Sequence, residues 1–277
     1  MHTTQSFHYT RCVGVLGGMG PLAGATFVER LVRLTSAGRD QDHIPVVLVN
    51  DPRIPDRTAA QLYGGESPLP LMRRGLRTLI GAGADCIVIP CNTAHFWFDD
   101  LQHVSVKPIL HIVASVIADL ERQGITDGVI GVLGTPATIR RGLYQHGLLA
   151  AGYEVAVPDE DVIQHLLGPA IDDVKANQLV PAFDLVARAI DGMKRRHARA
   201  VVLGCTELPL AVPHARRPEF GIAMTDSIDA LARAAIDWVN AHEPGREGAR
   251  HQSANVGSAA NPSAATAMAH EPGCSLR

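Results

Sequence analysis

Two thiols in matched places can do acid–base chemistry that one thiol cannot. Cys91 follows the apolar run 87–90 (IVIP) and precedes Asn-Thr; Cys205 follows 201–204 (VVLG) and precedes Thr-Glu. Where a strand gives way to a helix, the helix N-terminus and its free N–H groups favour a thiolate, so each thiol is expected to be shifted down toward neutrality. A thiolate on one side of a carbon acid and a thiol on the other suit inversion of configuration. One removes the proton from one face and the other returns a proton to the opposite face. A carbanion formed this way needs oriented N–H and hydroxyl donors around it.

Other readings of the same residues stay open. His95 stands near Cys91, as a Cys-His nucleophile would require, and Cys91, His95 and Cys205 could be imagined around a metal. No fourth ligand is evident, however, and zinc would consume both proton carriers. The expectation is no metal. Cys12 and Cys86 lie in or at the start of apolar runs, where a small buried thiol is the ordinary case. The glycine-rich segment 17–21 (GGMGP) has neither GxGxxG spacing nor the Lys of a phosphate loop. It is expected to let the backbone approach a substrate closely.

The elements that would position these residues are legible as short apolar runs at 12–17, 46–50, 85–90, 108–112, 129–134, 154–158 and 200–204. Between several of them lie helix-length stretches with apolar spacing of three and four, such as Phe27, Leu31 and Leu34. Continuous apolar strands alternating with amphipathic helices imply an α/β fold with parallel sheets covered on both faces. The chain also repeats: 13–17 (VGVLG) matches 130–134 (IGVLG), and 87–91 (IVIPC) matches 201–205 (VVLGC), at nearly one offset. Two α/β lobes related by a pseudo-twofold axis are expected, with the site in the cleft between them. One lobe is assigned 11–106 plus 216–242 and the other 107–215. Residues 243–277, rich in Ala, Ser, Gly, Pro and Asn, offer too little to pack and are expected to be a disordered tail carrying Cys274.

Composition narrows the functional classes. With 277 residues, 46% hydrophobic and 19% charged, the chain is ordinary for a globular protein, and its low aromatic content of 4% makes the core aliphatic. A net charge of −3 with no basic run gives no sign of a nucleic-acid or anionic-membrane partner. No apolar window is long enough to span a bilayer, and the first residues lack a secretory h-region, so the cytoplasm is the expected location. Five cysteines without a CxxC pair suit a reducing compartment.

The segments GGMGP (17–21), PCNTAH (90–95) and GCTEL (204–208), in this order, resemble the aspartate/glutamate racemase superfamily, and most of all its aspartate racemase branch. The resemblance runs over about residues 11–242. It implies a cofactor-independent amino-acid racemase, with neither pyridoxal phosphate nor metal, whose acid/base pair is Cys91 and Cys205. Asn92, Thr93 and Thr206 match residues that hold the α-carboxylate and amino group, and Thr135 matches a further contact. Glutamate racemases typically carry Asp-Ser where this chain has Gly18 and Met19, and often His where it has Glu207; both Met19 and Glu207 are placed in the substrate site. The stretch 54–59 (IPDRTA) resembles one whose Arg, here Arg57, faces a side-chain carboxylate, and Lys175 aligns with a second basic residue. Aspartate is therefore the expected substrate and a homodimer the expected assembly. Arg57 could equally pair with Asp56 or Asp51 at the surface, and Lys175 with Asp172 or Asp173. A broad-specificity amino-acid or hydantoin racemase is the nearest alternative; a catalytically silent amino-acid binding module or a cysteine hydrolase is a more distant one.

Overall fold

Strand β1 (Val13–Gly17) is buried along its whole length in the computed structural model, which describes residues 9–243. β2 (Val46–Asn50) and β3 (Cys86–Val88) flank it in parallel, in the order β2-β1-β3. A second parallel sheet has the order β5-β4-β6-β7, from β4 (Val129–Leu133), β5 (Glu154–Ala156), β6 (Ala200–Leu203) and β7 (Ala223–Asp226). A parallel bridge between Ile87 and Ile109 adds a fourth member to the first sheet beside β3. The two sheets thus repeat one order of equivalent segments, the structural form of the sequence repeat.

Twelve α-helices are described. The first half holds α1 (Pro21–Leu34), α2 (Arg57–Leu62), α3 (Leu69–Gly81), α4 (Phe98–Gln102) and α5 (Ile112–Arg122). The second holds α6 (Pro136–Arg140), α7 (Gln145–Ala150), α8 (Glu160–Val162), α9 (Gly168–Lys175), α10 (Leu179–Arg195), α11 (Leu208–Ala211) and α12 (Ser227–His242). The long ones are amphipathic as spaced: α1 buries Ala23, Phe27 and Leu31, and α10 buries Ala182, Val186, Ala189, Ile190 and Met193.

Two boundaries differ from the sequence reading. β7, assigned to the first lobe within 216–242, pairs with β6 in the second sheet, while α12 packs against α1. The 108–110 stretch, assigned to the second lobe, bonds to the first sheet through Ile87 N–H to Pro108 O and Leu110 N–H to Ile87 O. In both cases the backbone groups need ladder partners, and the free side of the cysteine-bearing strand offers them. Alternate β1 residues then enter different cores: Val13 and Val15 join a large cluster that includes α5, α12 and the second sheet, while Leu16 packs with Met72, Leu76 and Leu79 of α3. The halves therefore share a core as well as a cleft. Glu243, assigned to the tail, is buried and accepts from the Thr10 and Arg11 N–H groups; the rest of the expected tail, with Cys274, lies outside the described residues. No described helix is long and apolar enough to cross a membrane.

Candidate active site

Cys91 lies just past the end of β3 and Cys205 just past the end of β6, where open α/β sheets gather ligands. Both line one small cavity. Every residue assigned to the substrate site from the sequence lines it too: Met19, Arg57, Asn92, Thr93, Thr135, Lys175, Thr206 and Glu207. Asp56, Thr58 and Ile171 complete the wall. Ile171 sits one helical turn before Lys175 on α9, so the i, i+4 spacing from that lysine was the signal for it.

The thiols are 4% and 3% exposed, and burial changes their expected electrostatics. Both are pushed up rather than down. At Cys91 burial dominates, the Arg57 guanidinium pulls back toward the thiolate, and Glu207 pushes further up. At Cys205 burial again dominates, and the Glu207 carboxylate adds to it both by charge and by accepting from the thiol; Cys91 pushes the same way. The helical stabilisation expected at both sites is weak. A five-residue 3-10 turn (Thr93–Trp97) follows Cys91, and α11 after Cys205 has only four residues.

Charge is distributed unevenly across the cavity. Cys205 Sγ donates to Glu207 Oε2 at 3.0 Å, and Thr206 Oγ1 donates to the same oxygen at 3.3 Å. Glu207, expected to touch substrate, thus faces the second thiol. On the Cys91 side, Arg57 is the first residue of α2 and is anchored by Nη1 donating to the Ile54 and Pro55 carbonyls at 3.3 and 3.0 Å. Neither anticipated surface partner holds it: Asp56 caps α2 through the Ala59 N–H, and Asp51 pairs with Arg53. Arg57 Nε is buried without a hydrogen-bond partner. Lys175 meets both of its readings at once, lining the cavity while its Nζ lies 3.6 Å from Asp172.

Hydroxyls bridge the two halves. Thr93 Oγ1 lies 3.0 Å from Thr135 Oγ1, which caps α6 through the Thr138 N–H, and Thr138 Oγ1 donates or accepts within the same group. Thr138 was not foreseen; a polar residue inside a helix gives no signal of its own in a single sequence.

His95 cannot serve Cys91. Its Nε2 accepts from the Ile112 N–H at 3.2 Å, so Nδ1 carries the proton and donates to the Cys91 carbonyl at 2.9 Å. Burial, with His111 beside it, pushes its pKa down to about 3, and both nitrogens are engaged by backbone. The Cys-His nucleophile and the Cys91-His95-Cys205 metal set both lose their histidine. Among the described residues one other group, His214, Asp226 and Asp229, brings three ligand atoms together. Its carboxylates are already paired with Arg217 and Arg30. Within the glycine-rich segment, Gly18, at φ +93°, is required because a Cβ would collide with the Asp51 backbone, and a Cβ on Gly20 would come within 3.2 Å of Glu207 Oε1. They permit contacts within the chain.

Comparison with known proteins agrees with this layout. The Asp/Glu/Hydantoin racemase family matches residues 16–235. The solved structure of Picrophilus torridus aspartate racemase is 34% identical with a TM-score of 0.73, covering 83% of this chain and 94% of that one. The broad specificity amino-acid racemase RacX of Bacillus subtilis (strain 168) is 26% identical over 235 residues, 83% of this chain and 99% of the relative. Glutamate racemase from Francisella tularensis, solved in complex with D-glutamate, shares the fold at 17% identity and a TM-score of 0.60, over 83% of this chain and 81% of that one.

Proposed function

The chain belongs to the Asp/Glu/hydantoin racemase family, and from that premise we propose that it racemises aspartate by moving the α-proton between Cys91 and Cys205. The observation that carries this reading is the pair of buried thiols lining one cavity from equivalent strand ends, with opposite charges beside them. Arg57 favours the thiolate at Cys91, and Glu207 favours the protonated thiol at Cys205. In one direction the Cys91 thiolate takes the α-proton, the C–H electron pair moves into the α-carboxylate, and the Cys205 S–H bond breaks to form the new C–H bond on the opposite face. The reverse direction exchanges the roles. The Asn92 amide and the Thr93, Thr135 and Thr206 hydroxyls supply donors to the carboxylate and acceptors to the ammonium group.

Substrate choice rests on Arg57. A buried guanidinium nitrogen without a partner suits a side-chain carboxylate, and its anchored geometry keeps the donor in place before substrate arrives. The aspartate racemase structure at 34% identity supports the same choice. The proposal extends to a homodimer acting in the cytoplasm, which light scattering and cell fractionation test. A silent binding module has no use for two thiols in its cavity. The test is to incubate the purified protein with each enantiomer of aspartate, glutamate and alanine, without added cofactor, and follow the mirror image by chiral chromatography. Aspartate is expected to turn over fastest by a wide margin. Equal rates on neutral amino acids would replace this reading with the broad-specificity one.

A further inference from the structure

Tyr144 is fully buried and lies outside the residues that line the cavity, yet it touches the chain neighbour of each cysteine. Its hydroxyl donates to Asn92 Oδ1 at 2.5 Å, beside Cys91. Its ring lies so close to Gly204, beside Cys205, that a Cβ there would come within 2.8 Å of Tyr144 Cε2. Burial pushes the phenol up, with Cys205 and Asp226 acting the same way and a Ser227 hydrogen bond opposing them in smaller measure, so it stays a neutral donor.

Asn92 is held at both ends of its amide. Nδ2 donates to Ser227 Oγ at 2.8 Å, and the Ser227 hydroxyl donates onward to the Leu203 carbonyl at 3.4 Å. The serine oxygen accepts from Asn92 Nδ2 and the phenol donates to Asn92 Oδ1, so the nitrogen of Asn92 faces Ser227 and its oxygen faces Tyr144. An amide carries an acceptor and a two-proton donor of nearly equal shape, so without such a lock either could turn to a ligand. Here the oxygen is covered by the phenol, and the second Nδ2 proton is what remains.

We propose that Tyr144 is a positioning residue that locks Asn92 as a hydrogen-bond donor, so that the site reads an α-carboxylate oxygen there and discriminates against an α-carboxamide. The same N–H stabilises the charge that moves onto the carboxylate as the α-proton leaves. The proposal rests on the amino-acid reading above, and its test uses binding, so that the two fail separately.

Calorimetric titration with L-aspartate and with L-isoasparagine, its α-carboxamide, gives a ratio of dissociation constants. Tyr144→Phe keeps the ring against Gly204 and removes the lock. The ratio is expected to narrow about tenfold, the worth of one hydrogen bond, with kcat falling more than KM rises and a lower melting temperature, because Asn92 Oδ1 loses its donor. Asn92→Asp, an independent variant, is expected to invert the preference, because the new side chain has no N–H and still accepts from Tyr144. A ratio unmoved by Tyr144→Phe, whatever happens to stability, would overturn the proposal and leave Tyr144 a packing residue. So would a preference for aspartate retained in Asn92→Asp. Failure of the native protein to bind either compound would overturn the amino-acid reading with it.

Discussion

The surroundings of Cys91 and of Cys205 are built on one plan and differ in charge. Each thiol follows the strand that pairs with the middle of its sheet, β3 on β1 and β6 on β4, and each is nearly fully buried. Beside the first stands an anchored guanidinium; beside the second stands a carboxylate that accepts from the thiol. The repeat thus supplies two equivalent thiol positions, while divergence of the neighbours biases their protonation. A symmetric pair of buried thiols would both stay protonated, since burial disfavours each thiolate. In the asymmetric pair the thiolate is disfavoured less at Cys91, where Arg57 offsets part of the burial, than at Cys205, so Cys91 is the thiol that ionises first.

The largest effect expected is loss of either thiol. Cys91→Ser and Cys205→Ser should each lose racemisation by about 10³-fold or more, since a serine hydroxyl is far too weak an acid or base near neutrality. Each should keep solvent exchange of the α-proton for one enantiomer, and opposite ones. Exchange of the same enantiomer by both variants, followed by mass spectrometry in heavy water, would break the assignment of one thiol to each face.

Arg57→Ala probes the charged neighbour of the first thiol. Removal of one partner of a desolvated ion pair costs about 2 to 5 kcal/mol, so kcat/KM for aspartate should collapse relative to that for alanine. Lys175→Ala should move the ratio the same way by less, because its side chain is half exposed and its Nζ is shared with Asp172. Equal losses on both substrates would show that Arg57 serves Cys91 alone. A smaller effect sharpens the contrast by sign. The ascending limb of kcat/KM against pH reports the thiol that must ionise in the free enzyme. Arg57 lowers the Cys91 pKa and Glu207 raises both thiols. Arg57→Ala should therefore shift the limb to higher pH and Glu207→Gln to lower pH, each by about one unit, the order of a charge placed within a few ångströms. Shifts of one sign in both variants would contradict the asymmetry.

The strand runs and the repeat made the fold and the meeting of Cys91 with Cys205 readable in advance. What escaped has physical reasons. β7 (AMTD) is short and polar at one end, and its burial comes from β6 and α12 rather than from its own composition. The thiols' upward shift escaped because helix position is visible in sequence but burial depth is not. Tyr144 and Ser227 act from distant positions on Asn92, and only the folded chain brings the three together. Glu207 was legible as a site residue, but its direction, toward a thiol, was not.

The central claim, proton transfer between two thiols on opposite faces, is tested most directly by racemising aspartate in heavy water and stopping the reaction early. Each enantiomer is separated and its α-deuterium measured. The two-thiol account predicts a product that carries solvent deuterium and a recovered substrate that carries none, whichever enantiomer is supplied. Deuterium appearing in the recovered substrate as fast as in the product, or a product that keeps the original proton, would contradict it and assign both transfers to a single base.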